Sequence, residues 1–340
     1  MDKRVVFEVA GSGKTTLLTV HLSEDSRALI LTHTRNSEAH LRARLIQRFD
    51  FLPDGIRIMT WFEFLHGFCF RPLLQQHLQS RSLCFAQPLP RTARAQRLHF
   101  QDGSGRLYHP RLSLLLMHRN MMPDIRAWLG RYYDALLVDE VQDFAGHDFN
   151  FLLGLCSAEV SVLLSGDFYQ HTFDTSRDGN TNSTLHDDIT RYESRFLASG
   201  VVPDRLTLSK TWRSSPSVCS FISEHPGIRI ESHRKDETQI ELIICQNEAA
   251  TLHADDEAIK LFYQEHHRYG CHSLNWGASK GLDDFTDVCI VLGAKHWTLL
   301  TARRLNELPP ATRNKLCVAC SRARGRIWFL PERLLSQFRQ

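Results

Sequence analysis

The chain has 340 residues, 42% apolar and 23% charged, with a formal net charge of +3, enough apolar material for a sizeable core and most simply for two domains. No stretch reaches the roughly 18 to 20 uninterrupted apolar residues of a membrane span, and the opening Met1-Asp2-Lys3-Arg4 runs too soon into a strand for a secretory leader. A membrane partner is therefore excluded, and the cytoplasm is the expected compartment. The small charge excess permits a polyanionic partner without demanding one, although arginines cluster at 42–48, 91–97, 303–304 and 322–326.

In chain order, Val5 to Val9 is β-rich and runs into Ala10-Gly11-Ser12-Gly13-Lys14-Thr15-Thr16, a glycine turn followed by apolar residues at helical spacing. The pattern predicts strand, loop, helix. Such a loop has the parts a nucleoside triphosphate needs. Its glycines let the backbone N–H groups of 10–16 converge on phosphate oxygens, Lys14 reaches the β and γ phosphates, and the Thr15 hydroxyl holds Mg²⁺. ATP and Mg²⁺ are the expected cofactors. Glu8 stands where the full pattern has a small residue.

Short apolar runs at Ala28 to Leu31, Ala135 to Val138 and Val160 to Ser165, separated by helical patterns, predict buried parallel strands of an α/β sheet. Between them, about 66–130 lacks strong strand signals and carries Pro88, Pro90, Pro110 and Pro123, which predicts a mostly helical insertion with loops. The run at 135–138 ends in Asp139-Glu140-Val141-Gln142-Asp143, placing two carboxylates at the carboxyl end of a strand, where open α/β sheets bind ligands. Asp139 is a candidate for Mg²⁺ and Glu140 for polarising the attacking water. The run at 160–165 leads to Gly166-Asp167-Phe168-Tyr169-Gln170, from which Gln170 can meet the γ phosphate or that water. A charged turn after a strand is by itself unremarkable; beside a phosphate loop it gains a role.

After about residue 205 a second series begins, with strands expected at Ile240 to Ile244, Asp287 to Leu292 and Ile327 to Leu330. The expected domains are 1–204 and 205–340. Arg213 and Arg322 are candidates to offset the charge that phosphoryl transfer develops, against the ordinary reading of arginines as solvated surface groups. The nine scattered cysteines include Cys317-x-x-Cys320 but no second closely spaced pair. They read as reduced thiols filling helix packing rather than as a metal site.

Taken in order from near residue 5 to near residue 330, these blocks resemble superfamily 1A helicases of the UvrD/Rep/PcrA type. Val138-Asp139-Glu140-Val141-Gln142-Asp143 is similar to the family's V-D-E-x-Q-D, Gly166 to Gln170 to its G-D-x-x-Q, and Lys210-Thr211-Trp212-Arg213-Ser214 to its Q-N-Y-R-S. Ser279-Lys280-Gly281-Leu282-Asp283 resembles A-K-G-L-E, and Val318 to Arg324 resembles V-A-x-T-R-A-R. The resemblance implies two RecA-like domains with parallel sheets, opening and closing around ATP while the protein moves 3′ to 5′ on single-stranded DNA or at a junction with duplex. It implies Asp283 at the nucleotide sugar and Arg322 as the arginine finger. It further implies nucleic-acid contacts at Thr34, Asn36, Thr60, Phe62, Phe64, Phe173 and Lys280. For Phe64 and Phe173 the ordinary alternative is a ring buried in the core.

The chain departs from that family in three places. Only Met1 to Arg4 precede Val5, where relatives carry an adenine-reading glutamine segment; about 65 residues separate Arg213 from Ser279, leaving the large second-domain insertion absent; and Asn275-Trp276-Gly277 replaces a Thr/His pair. The reduction also fits a nucleotide-gated subunit that controls a partner nuclease, as beside the nucleases of Gabija-type phage defence. A small-molecule kinase would explain the loop but leave 138–143 and 279–283 without a role.

Overall fold

Six parallel strands form the larger sheet: β1 (Lys3–Phe7), β2 (Ala28–Thr32), β3 (Ile56–Thr60), β6 (Ala135–Val138), β7 (Ser161–Gly166) and β8 (Val202–Asp204), in the spatial order β3-β2-β6-β7-β1-β8. Between β3 and β6 lie β4 (Leu83–Cys84) and β5 (Leu107–Tyr108), a separate parallel pair. This is a computed structural model, and it describes all residues except Met1, Arg81, 89–91, 172–174, Arg177, Gly281, 283 and 284. The chain divides into two units. The first comprises Met1–Phe7, Lys14–Gly166 and Phe173–Arg205; the second comprises Glu8–Gly13, Asp167–Thr172 and Leu206–Gln340.

In the first unit, β2 is buried along its whole length, as expected of a parallel strand covered on both faces. On one face Leu18, Ile30, Leu41, Leu45, Ile58 and Leu137 form a core. Phe7, Phe149, Tyr192 and Phe196 pack ring against ring at centroid separations of 5.0–6.0 Å. The helix Arg35–Phe49 starts where Thr34 Oγ1 accepts the Ser37 N–H at 3.1 Å, and it stops at Asp50 in the left-handed region, φ 66°. β1 ends at Phe7, two residues before the run read from the sequence, so Glu8 and Val9 belong to the loop.

The expected helical insertion is mainly a π-helix Phe64–Gln75 containing Pro72, with α-helices Leu112–His118 and Met122–Tyr132. The short pair β4–β5 is an addition the sequence did not signal.

The second unit holds the short parallel pair β9 (Lys210–Thr211) and β10 (Glu231–Ser232), and five parallel strands. These are β11 (Ile240–Leu242), β12 (Ile259–Phe262), β13 (Ser273–Asn275), β14 (Val288–Leu292) and β15 (Ile327–Pro331), ordered β11-β15-β14-β12-β13. Alternate residues of β14 enter two cores, Val288, Ile290 and Leu292 one, Cys289 and Val291 the other, so the sheet is covered on both faces. The architecture is α/β with two RecA-like domains, and among the described residues no large insertion interrupts the second. No helix among the described residues is long and apolar enough to cross a membrane.

Candidate nucleotide-binding site

In the first unit, Lys14 opens the helix Lys14–Val20 just beyond β1, and Asp139 and Glu140 follow β6. Lys14 Nζ lies 2.7 Å from Glu140 Oε1 and 3.8 Å from Asp139 Oδ1, so a lysine and two adjacent carboxylates far from it in sequence meet at the carboxyl edge of the sheet. Glu140 is held firmly. Its backbone is left-handed at φ 54°, its N–H donates to Asp139 Oδ1 at 2.9 Å, its carbonyl lies 3.2 Å from His33 Nε2, and Gln142 Nε2 donates to its other carboxylate oxygen. Gln142 is wholly buried. Gly166 makes room for it: a Cβ there would overlap Gln142 Oε1 and sit 2.8 Å from Val141 Cγ1. Thr15 is half-buried and Thr16 exposed on the first helical turn.

The front of the glycine loop, Glu8–Gly13, clusters with the second unit. Thr211 Oγ1 donates to the Ala10 carbonyl at 2.5 Å, and the Trp212 N–H donates to the Gly11 carbonyl at 2.9 Å. Gly11 and Gly13 take φ of 74° and 100°, and a Cβ on Gly11 would come 2.7 Å from Arg213 Cβ; glycine is required there for backbone conformation and for space. Glu8 is buried and accepts the Ser12 hydroxyl at 3.3 Å, which is how the loop accommodates the unusual residue. Gln170 Nε2 donates to Asp167 Oδ2 at 2.9 Å, and both line a cavity of about 20 Å³ with Ala10, Cys317 and Ser321.

Arg322 is 1% exposed, its guanidinium donating to the carbonyls of Val318 at 3.2 Å and Leu282 at 3.1 Å. Arg213 is half-buried beside Gly11. Cys317 and Cys320 are both buried. Burial first, then Cys320 and Asp167, push the Cys317 thiol up, leaving it protonated. Among the described residues no group of three His, Cys, Asp or Glu is placed to hold a metal ion.

Of the residues expected at a nucleic acid, Thr34 and Asn36 are exposed at the head of a helix following β2. Thr60 is buried at the end of β3, its hydroxyl accepting the Glu63 N–H at 3.2 Å in a capping box. Phe62 is half-buried, and Phe64 is wholly buried and tilted against Trp61 at 5.6 Å; the ring of Phe64 is core, so the alternative to a stacking platform prevails at this position. Lys280 is half-buried. Phe173 and Asp283 lie outside the described residues.

No protein-family model matches the chain, and no curated protein matches it. Solved structures do. Arterivirus nonstructural protein 10 (helicase), in complex with DNA, aligns with a TM-score of 0.51 at 14% identity over 98% of this chain and 63% of that one. A crystal structure of Arterivirus nonstructural protein 10 (helicase) aligns with a TM-score of 0.51 at 14% identity over 99% of this chain and 62% of that one. This is a helicase fold. The chain spans less than two thirds of those helicases' own length, 63% and 62%.

Sequence reasoning missed two contributors. Thr211 and Gln142 support site residues through hydrogen bonds, a role that residue type alone does not signal. Trp212 is 64% exposed and stacks on His233 at 4.0 Å with 15° between planes. The two are 21 positions apart, so only the fold pairs them.

Proposed function

We propose that the chain hydrolyses ATP and uses the cycle to move along single-stranded DNA, 3′ to 5′. The observation that carries this reading is the meeting of Lys14 with Asp139 and Glu140 at the carboxyl edge of the first sheet. A glycine loop alone would serve many reactions, whereas a lysine beside one metal-suited and one water-suited carboxylate serves phosphoryl transfer to water. The residues fit the cofactors. Thr15 and Asp139 offer the hard oxygen ligands that Mg²⁺ takes, and Gly11 and Gly13 give the loop the conformations a phosphate cradle needs.

In the mechanism, Lys14 exchanges Glu140 for phosphate oxygens, which frees the Glu140 carboxylate to accept a proton from water. Mg²⁺ held by Thr15 and Asp139 supplies neutralising charge on the phosphates when bound. Gln170 orients the water, and Arg213 and Arg322 offset the developing charge, with Asp283 at the sugar. The exposed Trp212 ring, tied to the loop through Gly11, offers the adenine a stacking face. Thr34, Asn36, Thr60, Phe62, Phe173 and Lys280 hold the strand.

The polarity is tested by displacement of streptavidin from biotinylated single strands. ATP-dependent displacement from the 5′ end alone supports 3′ to 5′ movement. Displacement from the 3′ end alone reverses the polarity, and ATP turnover without displacement from either end removes translocation.

A further inference from the structure

We infer that the second unit carries a nucleotide-binding crevice of its own, between the carboxyl ends of β14 and β15 and separate from the glycine loop. The two strands are parallel neighbours, in register as far as Leu292 opposite Pro331. From β14 the chain passes into the helix Ala294–Thr301, whose Leu300 joins the core on one face of the sheet. From β15 it passes into the 3₁₀ segment Glu332–Phe338, whose Leu334 and Leu335 join the core on the other face. Two connections that part to opposite faces leave a crevice beyond the strand ends, the place where open α/β sheets take their ligands. Here that crevice is a cavity of about 420 Å³, within the ~300–1,000 Å³ of ordinary small-molecule sites.

Its lining points to a base joined to a phosphate. Trp297 is half-buried and presents an aromatic surface. Glu332 is fixed as an acceptor: Tyr269 Oη donates to its Oε1 at 2.6 Å, and the lack of a side chain at Gly293 lets Oε2 approach to 3.3 Å of where a Cβ would stand. Arg333 is exposed and has no ion pair among the described residues, while Arg339 pairs with Glu265 at 2.9 Å. A simple anion would be repelled by Glu332, and an apolar ligand would leave the charges unanswered. A planar base with an N–H for Glu332, a ring for Trp297 and a phosphate for Arg333 satisfies all three, whether as a free nucleotide or as one unit of a strand. Nothing in this inference depends on ATP hydrolysis by the first unit.

The test is photolabelling of the Lys14→Ala chain, which weakens binding at the glycine loop, with 8-azido-AMP and separately with a single strand carrying 8-azidoadenine. Labelled peptides are mapped by mass spectrometry. The expected result is label on peptides containing Tyr269, Trp297 or Glu332, reduced about tenfold by Arg333→Ala, as for a lost charge-assisted contact, and also reduced by Trp297→Leu. Labelling by AMP identifies a free nucleotide as the ligand, and labelling by the strand alone identifies a strand nucleotide. Label elsewhere only, or crevice label indifferent to Arg333→Ala, overturns the inference. Arg333 is exposed, so its replacement leaves the fold intact.

Discussion

Lys14 and Glu140 are bound to each other, Nζ to Oε1 at 2.7 Å, with about a fifth of each side chain exposed. The residue assigned to the γ phosphate and the residue assigned to the attacking water are thus each other's partners, and binding of phosphate has to separate them. A partly exposed pair of this kind is worth about 1 kcal/mol or less. Glu140→Gln is therefore expected to bind ATP as tightly as the wild type or up to about fivefold tighter, while turnover falls by about 10² to 10⁴. Calorimetric titration and steady-state hydrolysis measure the two quantities. Turnover at the wild-type rate would remove Glu140 from the chemistry.

Trp212→Ala should weaken ATP binding by about tenfold, the scale of one lost aromatic stack, and leave thermal stability nearly unchanged because the ring is 64% exposed. Titration with ATP and with a ribose triphosphate lacking the base separates base stacking from loop damage. Equal weakening toward both ligands would contradict stacking.

Gly166→Ala should destabilise the chain by about 1–3 kcal/mol, as overpacked sites do, since the added carbon collides with Gln142 and Val141. Displacing Gln142 also frees the Glu140 carboxylate to reorient, so turnover should fall with stability. Denaturant unfolding and hydrolysis assays on the same preparation check both, and an unchanged midpoint would show that Gln142 moves aside without cost.

Asp148 is buried, and burial raises its carboxyl to about 6. A folded-state pKa above the ordinary value of 3.8 means that the folded chain takes up this proton first. Its ionisation therefore penalises the fold above about pH 6, and the penalty fades as pH falls from about 6 towards 4. Asp148→Asn should remove that dependence and stabilise the chain at neutral pH by up to about 3 kcal/mol. Unfolding midpoints across that window test it, and parallel curves for the two proteins would contradict the assignment.

What the sequence disclosed and what it hid follow from range. β2, β6 and β7 were legible because buried parallel strands read as unbroken apolar runs. β12 was not: Lys260 interrupts Ile259-Lys260-Leu261-Phe262, yet it is wholly buried, its ammonium bonded to the carbonyls of Asp255 and Ala258. The glycine loop was legible from local spacing, whereas its attachment to Thr211 and Trp212 joins residues some 200 positions apart. Phe62 and Phe64 look alike in the sequence, and only the helix that follows Thr60 turns Phe64 into the core.

The most direct measurement is steady-state ATP hydrolysis with and without single-stranded DNA, for the wild type and for Lys14→Ala, at fixed salt because binding to a polyanion is salt-dependent. The prediction is turnover strongly stimulated by the strand and abolished in Lys14→Ala. Turnover indifferent to DNA, or surviving in Lys14→Ala, would contradict a strand-coupled ATPase built on Lys14, Asp139 and Glu140.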